Sequence, residues 1–180
     1  MKNRGKIFEE KFYESSQKQN IFIHRLKDTD LSFNGNPVSS FTPTNKCDFY
    51  LFGNVEKGKG NLFAIECKST KYSSMSIELN EEETNAKMIK LHQMKSLHKM
   101  SQNDGIYAGF VLNFRDEEKN LEDTYYMSIE KFLKFLQETQ KKSINKTDCE
   151  LRGIKVESVL LRKYYNYNVE RMIRDIVKEE

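Results

Sequence analysis

Apolar residues along the chain gather into short groups, and the spacing within each group predicts the element it forms. Over residues 4–19, Ile7, Phe8, Phe12 and Ser15 recur at helical intervals, with Gly5 near the start; this is one stripe of an amphipathic helix. Ile21, Phe22 and Ile23 follow as a short extended segment ending in His24-Arg25-Leu26, and nothing assigns His24 a role. Between 47 and 70, the runs CDFYLFG and NLFAIECKST flank a turn containing Asn54, Gly58 and Gly60, the pattern of a β-hairpin. Residues 71–80 read as a polar connection around Ile77 and Leu79. A second helix is predicted over 81–99, with Ile89, Gln93, Leu97 and Met100 along one side and Glu81, Glu82 and Glu83 at the positive end of its dipole. His92 and His98 flank that stripe and are not read as metal ligands.

The run GIYAGFVLNF at 105–114 reads as a continuous, predominantly apolar run bounded by polar sequence, as expected of a central strand. Thr124-Tyr125-Tyr126-Met127 predicts another strand, and Ser128 a cap for a third helix that buries Ile129, Phe132, Leu133 and Leu136. A charged loop at 141–148, a strand-like segment at 153–161 and a final helix at 169–177 complete the chain. Tyr164, Tyr165 and Tyr167 suit either packing against the domain or stacking on bases. The sum is an α/β chain with a mixed central sheet flanked by helices, and no internal repeat.

Two stretches depart from this pattern. Residues 28–46 hold both prolines, Pro37 and Pro43, with many Ser, Thr and Asn residues, and read as an extended excursion from a single domain spanning 1–180. The excursion enters the hairpin just before Asp48. Gln93 is the other exception, a polar residue on an inward stripe, and such a group calls for a partner. Backbone or a carboxylate cluster would each satisfy it.

The hairpin carries the candidate chemistry. If it closes symmetrically about Lys57, Asp48 lies opposite Glu66, where Cβ atoms stand about 5 Å apart on one face. Alternation then puts Lys68 beside Glu66 and turns Ile65 and Cys67 the other way. Directly opposed like charges are destabilising, so compensation is expected from Lys68 or from a divalent cation. Two carboxylates with water and phosphate suit Mg²⁺, and a cation so held supports phosphoryl chemistry. A charged pair closed by Lys68 on a solvated face is the alternative. Glu-x-Lys also occurs at Glu9-Glu10-Lys11 and Glu117-Glu118-Lys119, but neither follows an apolar strand facing an Asp across a turn.

Composition narrows the class. A charged fraction of 32% against 37% hydrophobic predicts an extensively solvated surface. No apolar run approaches the roughly 20 residues that span a bilayer. The charged start lacks a signal-peptide core, so a cytoplasmic protein without membrane contact is expected. Cys47, Cys67 and Cys149 then read as reduced core thiols; the first two are symmetric about Lys57 and are expected to meet on the buried side of the hairpin. No Cys or His spacing suggests zinc. Net charge is only +3, but residues 2–27 carry an excess of four positive charges. Basic patches bind phosphate, which makes Arg4, Lys6, Arg25 and Lys71 candidate DNA contacts, a solvated terminus being the alternative.

These motifs in this order resemble the PD-(D/E)xK restriction-endonuclease-like nucleases, and within them the RecU family of Holliday junction resolvases from Gram-positive bacteria and their phages. The matching pieces are Asn3-Arg4-Gly5 with Glu9-Glu10, Cys47-Asp48-Phe49, Ile65-Glu66-Cys67-Lys68, His92-Gln93 and Asp104-Gly105-Ile106, covering about residues 3–130. The resemblance implies that Asp48 and Glu66 bind Mg²⁺, with Mn²⁺ able to substitute, and that Lys68 orients or activates the attacking water. It implies supporting roles for Glu9 from the first helix and Gln93 from the helix after the hairpin. It further implies a homodimer that nicks four-way DNA junctions symmetrically in recombination and repair, alongside recombination proteins. The family's stalk corresponds to the excursion at 28–46, which is short beside that of the cellular members. Two other readings stay open: a nuclease of the same fold acting on duplex, flap or single-stranded DNA, and a non-catalytic DNA-binding module.

Overall fold

The computed structural model describes residues 4–26, 45–56, 59–82, 86–162 and 164–179. Its first half contains α1 (Arg4–Ser16), β1 (Phe22–Arg25), β2 (Phe49–Glu56), β3 (Lys59–Thr70), β4 (Ser74–Ser76) and α2 (Leu91–Ser101). Next come β5 (Ile106–Asp116), β6 (Leu121–Ser128), α3 (Ile129–Thr139), β7 (Ser143–Asn145) and α4 (Lys146–Arg152). The chain ends with β8 (Ile154–Lys155), β9 (Ser158–Leu161), β10 (Tyr164–Tyr167) and α5 (Val169–Glu179). Among the described residues, no helix is long and apolar enough to cross a membrane.

Six strands form the main sheet in the order β1-β2-β3-β5-β6-β8. Only β3 and β5 run parallel, because the segment carrying α2 returns the chain to the same end. The other pairs are antiparallel, so the sheet is mixed, as expected. Alternation divides it into two layers. Ala64, Phe110, Leu112, Tyr125 and Met127 face α2 and α3, where the rings of Phe110 and Phe132 lie 4.9 Å apart. Phe49, Leu51, Phe63, Ile65, Val111 and Tyr126 face α1 and α5. There Phe8 meets Tyr167 edge-on at 5.5 Å, so Tyr167 is a packing residue. Burial of β5 on both faces explains its largely apolar run.

The hairpin has the expected register. Phe49 pairs with Ile65 and Asn54 with Gly60, symmetric about position 57, before a bulge shifts the pairing to Glu56 and Lys59. Lys57 and Gly58 themselves lie outside the described residues, as do Asn3, Glu83 and all but the last two residues of the 28–46 excursion.

Several expectations need correction. The second helix begins at Leu91, not near Glu81. Ile89 instead bridges to Ile77, its N–H bonded to Ser76 O at 3.0 Å and its carbonyl accepting from Glu78 N at 2.9 Å. Backbone groups used in that ladder cannot also enter a helix, and no acidic residue stands in the first turn of α2. The polar connection at 71–80 contains β4, paired with β7. The predicted loop at 141–148 holds β7 and the start of α4, whose capping box joins Asn145 and Asp148. The segment 153–161 splits between β8 in the main sheet and β9 in a separate hairpin with β10. α1 ends at Ser16, three residues early. In α3, capped by Ser128 as expected, Phe135 is fully buried whereas Leu133 and Leu136 are only partly so. Cys47 and Cys67 do not meet: Cys67 alternates onto the α1 layer with Ile65, while Cys47 packs in the α2 layer. All three cysteines are free and buried.

Gly109 packs hard against the backbone of the neighbouring strand. A Cβ there would lie 2.4 Å from the Met127 carbonyl oxygen and 2.7 Å from the Tyr126 ring. Backbone in a central ladder cannot step aside, so Gly109→Ala is expected to cost about 1–3 kcal/mol. A lower urea midpoint at unchanged slope is the expected signature; an unchanged midpoint would show that the sheet yields there.

Candidate active site

Strand pairing at the rim of the sheet assembles the site. Asp48 lies just before β2, its N–H bonded to Ile65 O at 3.0 Å and its carbonyl accepting from Leu26 N at 2.9 Å. Its carboxylate Oδ2 accepts from the Cys67 N–H at 2.7 Å, which holds it against β3 beside Glu66. Glu66 is 4% exposed. Lys68 Nζ donates to Glu66 Oε1 at 2.8 Å, and the Gln93 amide donates to the same oxygen. Gln93 Oε1 meanwhile accepts from Lys90 N at 3.1 Å, closing the N-terminus of α2. Both partners foreseen for Gln93 are therefore present: backbone with one end of the amide, carboxylate with the other.

Glu9 reaches the site from α1, and Arg25 in β1 donates to its Oε2 at 2.6 Å. The Arg25 guanidinium also lies 5.8 Å from the centre of the Phe49 ring. Burial, and after it the charge on Asp48, push Glu66 up to about 7 from its ordinary 4.5, against the pull of Lys68. Glu9 is raised for the same two reasons, with Arg25 and Lys68 opposing. Both carboxylates thus sense a surplus of negative charge, the condition that an added cation relieves.

No three His, Cys, Asp or Glu side chains among the described residues form a group able to hold a metal alone. Asp48 and Glu66 would supply two oxygen donors, leaving the remaining positions to water and phosphate. That donor set fits Mg²⁺, which keeps several waters and takes one or two carboxylates plus substrate phosphates.

With this geometry in hand, likeness to known proteins decides the family. The sequence profile of RecU, Recombination protein U, matches residues 39–169. The chain belongs to the RecU family. The SPbeta prophage-derived uncharacterized protein YotM of Bacillus subtilis (strain 168) is 33% identical over 192 residues, covering 99% of this chain and 89% of that protein. The 1.6 Å structure of Archaeoglobus fulgidus Hjc, a Holliday junction resolvase from an archaeal hyperthermophile, matches with a TM-score of 0.50 at 19% identity. That match covers 84% of this chain and 95% of Hjc; at such low identity it is a likeness of fold, the restriction-endonuclease-like one.

The RecU match takes in Asp48, Glu66, Lys68 and Gln93, and it extends beyond the resembling motifs into the segment after Lys141. It begins after α1, so Glu9 enters on geometry alone. Of the basic candidates, Arg4, Lys6 and Lys71 are exposed, whereas Arg25 turns inward to Glu9. Sequence reasoning missed that pairing. It also missed a polar chain on the α1 side of this RecU-family sheet: Arg115 Nε donates to Ser69 Oγ at 2.9 Å, Ser69 to Asn113 Oδ1 at 2.6 Å, and Asn113 Nδ2 to Thr124 Oγ1 at 2.9 Å. The available signal was Asn113, a polar residue inside the apolar run of β5.

Proposed function

We propose that this RecU-family chain is a Holliday junction resolvase: a Mg²⁺-dependent, structure-specific endodeoxyribonuclease that opens four-way junctions by paired symmetric nicks in recombination and repair. The observation that carries the reading is the convergence of Asp48, Glu66 and Lys68 at one rim of the sheet, in a chain of this family. Hjc, which shares the fold, is itself a Holliday junction resolvase. Asp48 and Glu66 would hold the divalent cation (Mn²⁺ serving in its place), which supplies Lewis-acid polarisation of the phosphodiester and neutralises its charge.

The chain's own residues do the rest. Lys68, fixed by Glu66, presents donors that orient the attacking water and steady the charge building on the phosphate. Gln93 locks the Glu66 carboxylate to the start of α2, so the ligand is held before substrate arrives. Glu9, tied to Arg25, adds a further acceptor for water at the same rim. Exposed Arg4, Lys6 and Lys71 supply sequence-independent phosphate contacts, while Arg25 acts through Glu9. A homodimer with one site per chain matches the two-fold symmetry of the junction, and recombination proteins are its natural company.

The deciding experiment offers four-way junctions, flaps, linear duplex and single strands with Mg²⁺ present and with chelator. Paired symmetric nicks near the crossover, confined to the junction and lost on chelation, are expected. Equal cutting of duplex or flap would instead mark another nuclease of the same fold. Junction binding without any cutting would mark a non-catalytic module.

A further inference from the structure

Two arginines from distant parts of the chain converge on a single carboxylate oxygen. Arg115, at the end of β5, pairs through Nη1 with Glu117 Oε1, and Arg4 Nε in the first turn of α1 lies 3.8 Å from the same atom. Arg115 is held from behind by the Ser69–Asn113–Thr124 chain, and its side chain is only 15% exposed. Glu117 sits on the exposed turn between β5 and β6, its side chain 44% exposed. One partner is thus rigid and the other is free to leave.

The location gives this pairing meaning. Ser69 follows Lys68 on β3 but points to the opposite face, so the arginines stand on the α1 side of the sheet, one position further along the strand that carries the proposed catalytic lysine. They border a cleft of about 120 Å³ that Lys11 and Tyr164 also line, with the Lys11 ammonium 4.3 Å from the centre of the Tyr164 ring. Of the cleft's other carboxylates, Asp116 is engaged by Lys119 at 3.4 Å and Glu122 by the Tyr167 hydroxyl. Glu117 is the one in ion-pair contact with both arginines, while Glu122 stands across the ladder from Arg115 and feels its charge. A guanidinium fork accepts a phosphate in the same way that it accepts a carboxylate.

We infer that Arg4 and Arg115 form a backbone-phosphate site on the α1 side of the sheet, flanking the strand that carries Glu66 and Lys68, and that Glu117 fills it as an internal phosphate mimic until DNA displaces it. This rests on the nuclease reading and adds a brake to it: the enzyme surrenders an internal ion pair for each such phosphate contact.

The test measures binding of the full-length chain to a synthetic four-way junction in chelator, where no cutting occurs, over a series of salt concentrations. Glu117→Gln is expected to tighten binding about fivefold at low salt and to steepen the log–log salt slope by about one, because no displaced carboxylate takes up a cation as DNA binds. Glu118→Gln, which removes an equal charge from the same turn, is expected to stay within about twofold of wild type. Adding Arg4→Gln to Glu117→Gln is expected to erase the gain, and Arg4→Gln alone to weaken binding about threefold and to lower the salt slope by about one, because it removes a phosphate contact. Equal effects of Glu117→Gln and Glu118→Gln would overturn the inference while leaving the nuclease reading intact. Wild-type chain that binds no DNA of any form would overturn both.

Discussion

Replacing Asp48 with Asn, or Glu66 with Gln, is expected to lower junction cleavage about 10³-fold or more, the scale of losing a preorganised electrostatic group, while junction binding stays within about threefold. The split follows from where the groups sit. Glu66 is buried beneath Lys68 and Gln93, and Asp48 is turned onto the β3 backbone, so neither contributes to the exposed basic surface proposed to hold phosphate. Contacts to the phosphate backbone position the substrate and survive the loss of a cation ligand. Lys68→Ala is expected to abolish turnover equally but to leave cation binding in place, because both oxygen donors remain. Cleavage rates, filter binding and a calorimetric titration with Mg²⁺ separate these outcomes. Cleavage retained by either carboxylate variant, in a preparation free of contaminating nuclease, would remove the assigned site. Cation binding lost in Lys68→Ala would refute the division of roles.

The parts of this site that were legible in the sequence are those fixed by local rules. A hairpin's register follows from its own alternation, so one turn sufficed to bring Asp48 to the strand that bears Glu66 and Lys68. Gln93 was legible because a polar residue on an inward stripe must find a partner, and it found two. What escaped depends on partners remote in the chain. β4 is three residues long and exists because Ser74–Ser76 pairs with Ser143–Asn145, about 70 residues later; no pattern of three residues announces that. A separate parallel bridge between Ile77 and Ile89 delays the start of α2, overriding the helical spacing of Ile89 with Gln93 and Leu97. Cys47 and Cys67 are symmetric about the hairpin centre in sequence, yet Cys47 lies beyond Asp48, whose N–H is still bonded to β3 at Ile65 O, and alternation does not govern a residue outside the ladder. Arg25 read as a free cation because Glu9 belongs to another element. Asn113 carried the same signal as Gln93, and following it would have pointed to Ser69 and Arg115.

The buried carboxylates also set how the fold responds to pH. In cation-free protein, stability is expected to fall as pH rises from about 4.5 to about 7, on the order of 3 kcal/mol from Glu66, at about 1.4 kcal/mol per pKa unit. The sign follows from proton counting. Glu66 is raised to about 7 by burial and by Asp48, so between the two values the folded chain holds a proton that the unfolded chain has released. The stabilisation is full below the unfolded pKa and is lost as pH climbs through the folded one. Glu9, raised for the same reasons, adds in the same direction. Asp123, lowered mainly by its ion pairs with Lys146 and Lys155 against the effect of its own burial, works the opposite way, so the informative quantity is the difference between wild type and Glu66→Gln. That variant keeps an acceptor for Lys68 and Gln93 without the charge, and is expected to match wild type near pH 4 and exceed it at pH 8. Added Mg²⁺ should raise the wild-type melting temperature at pH 8, scarcely at pH 5, and not in Glu66→Gln, because a protonated or amidated side chain is a poor ligand. Urea melts across this range would show parallel profiles for the two proteins if Glu66 were ionised throughout. In that case the negative surplus invoked to draw in a cation would already be answered by Lys68.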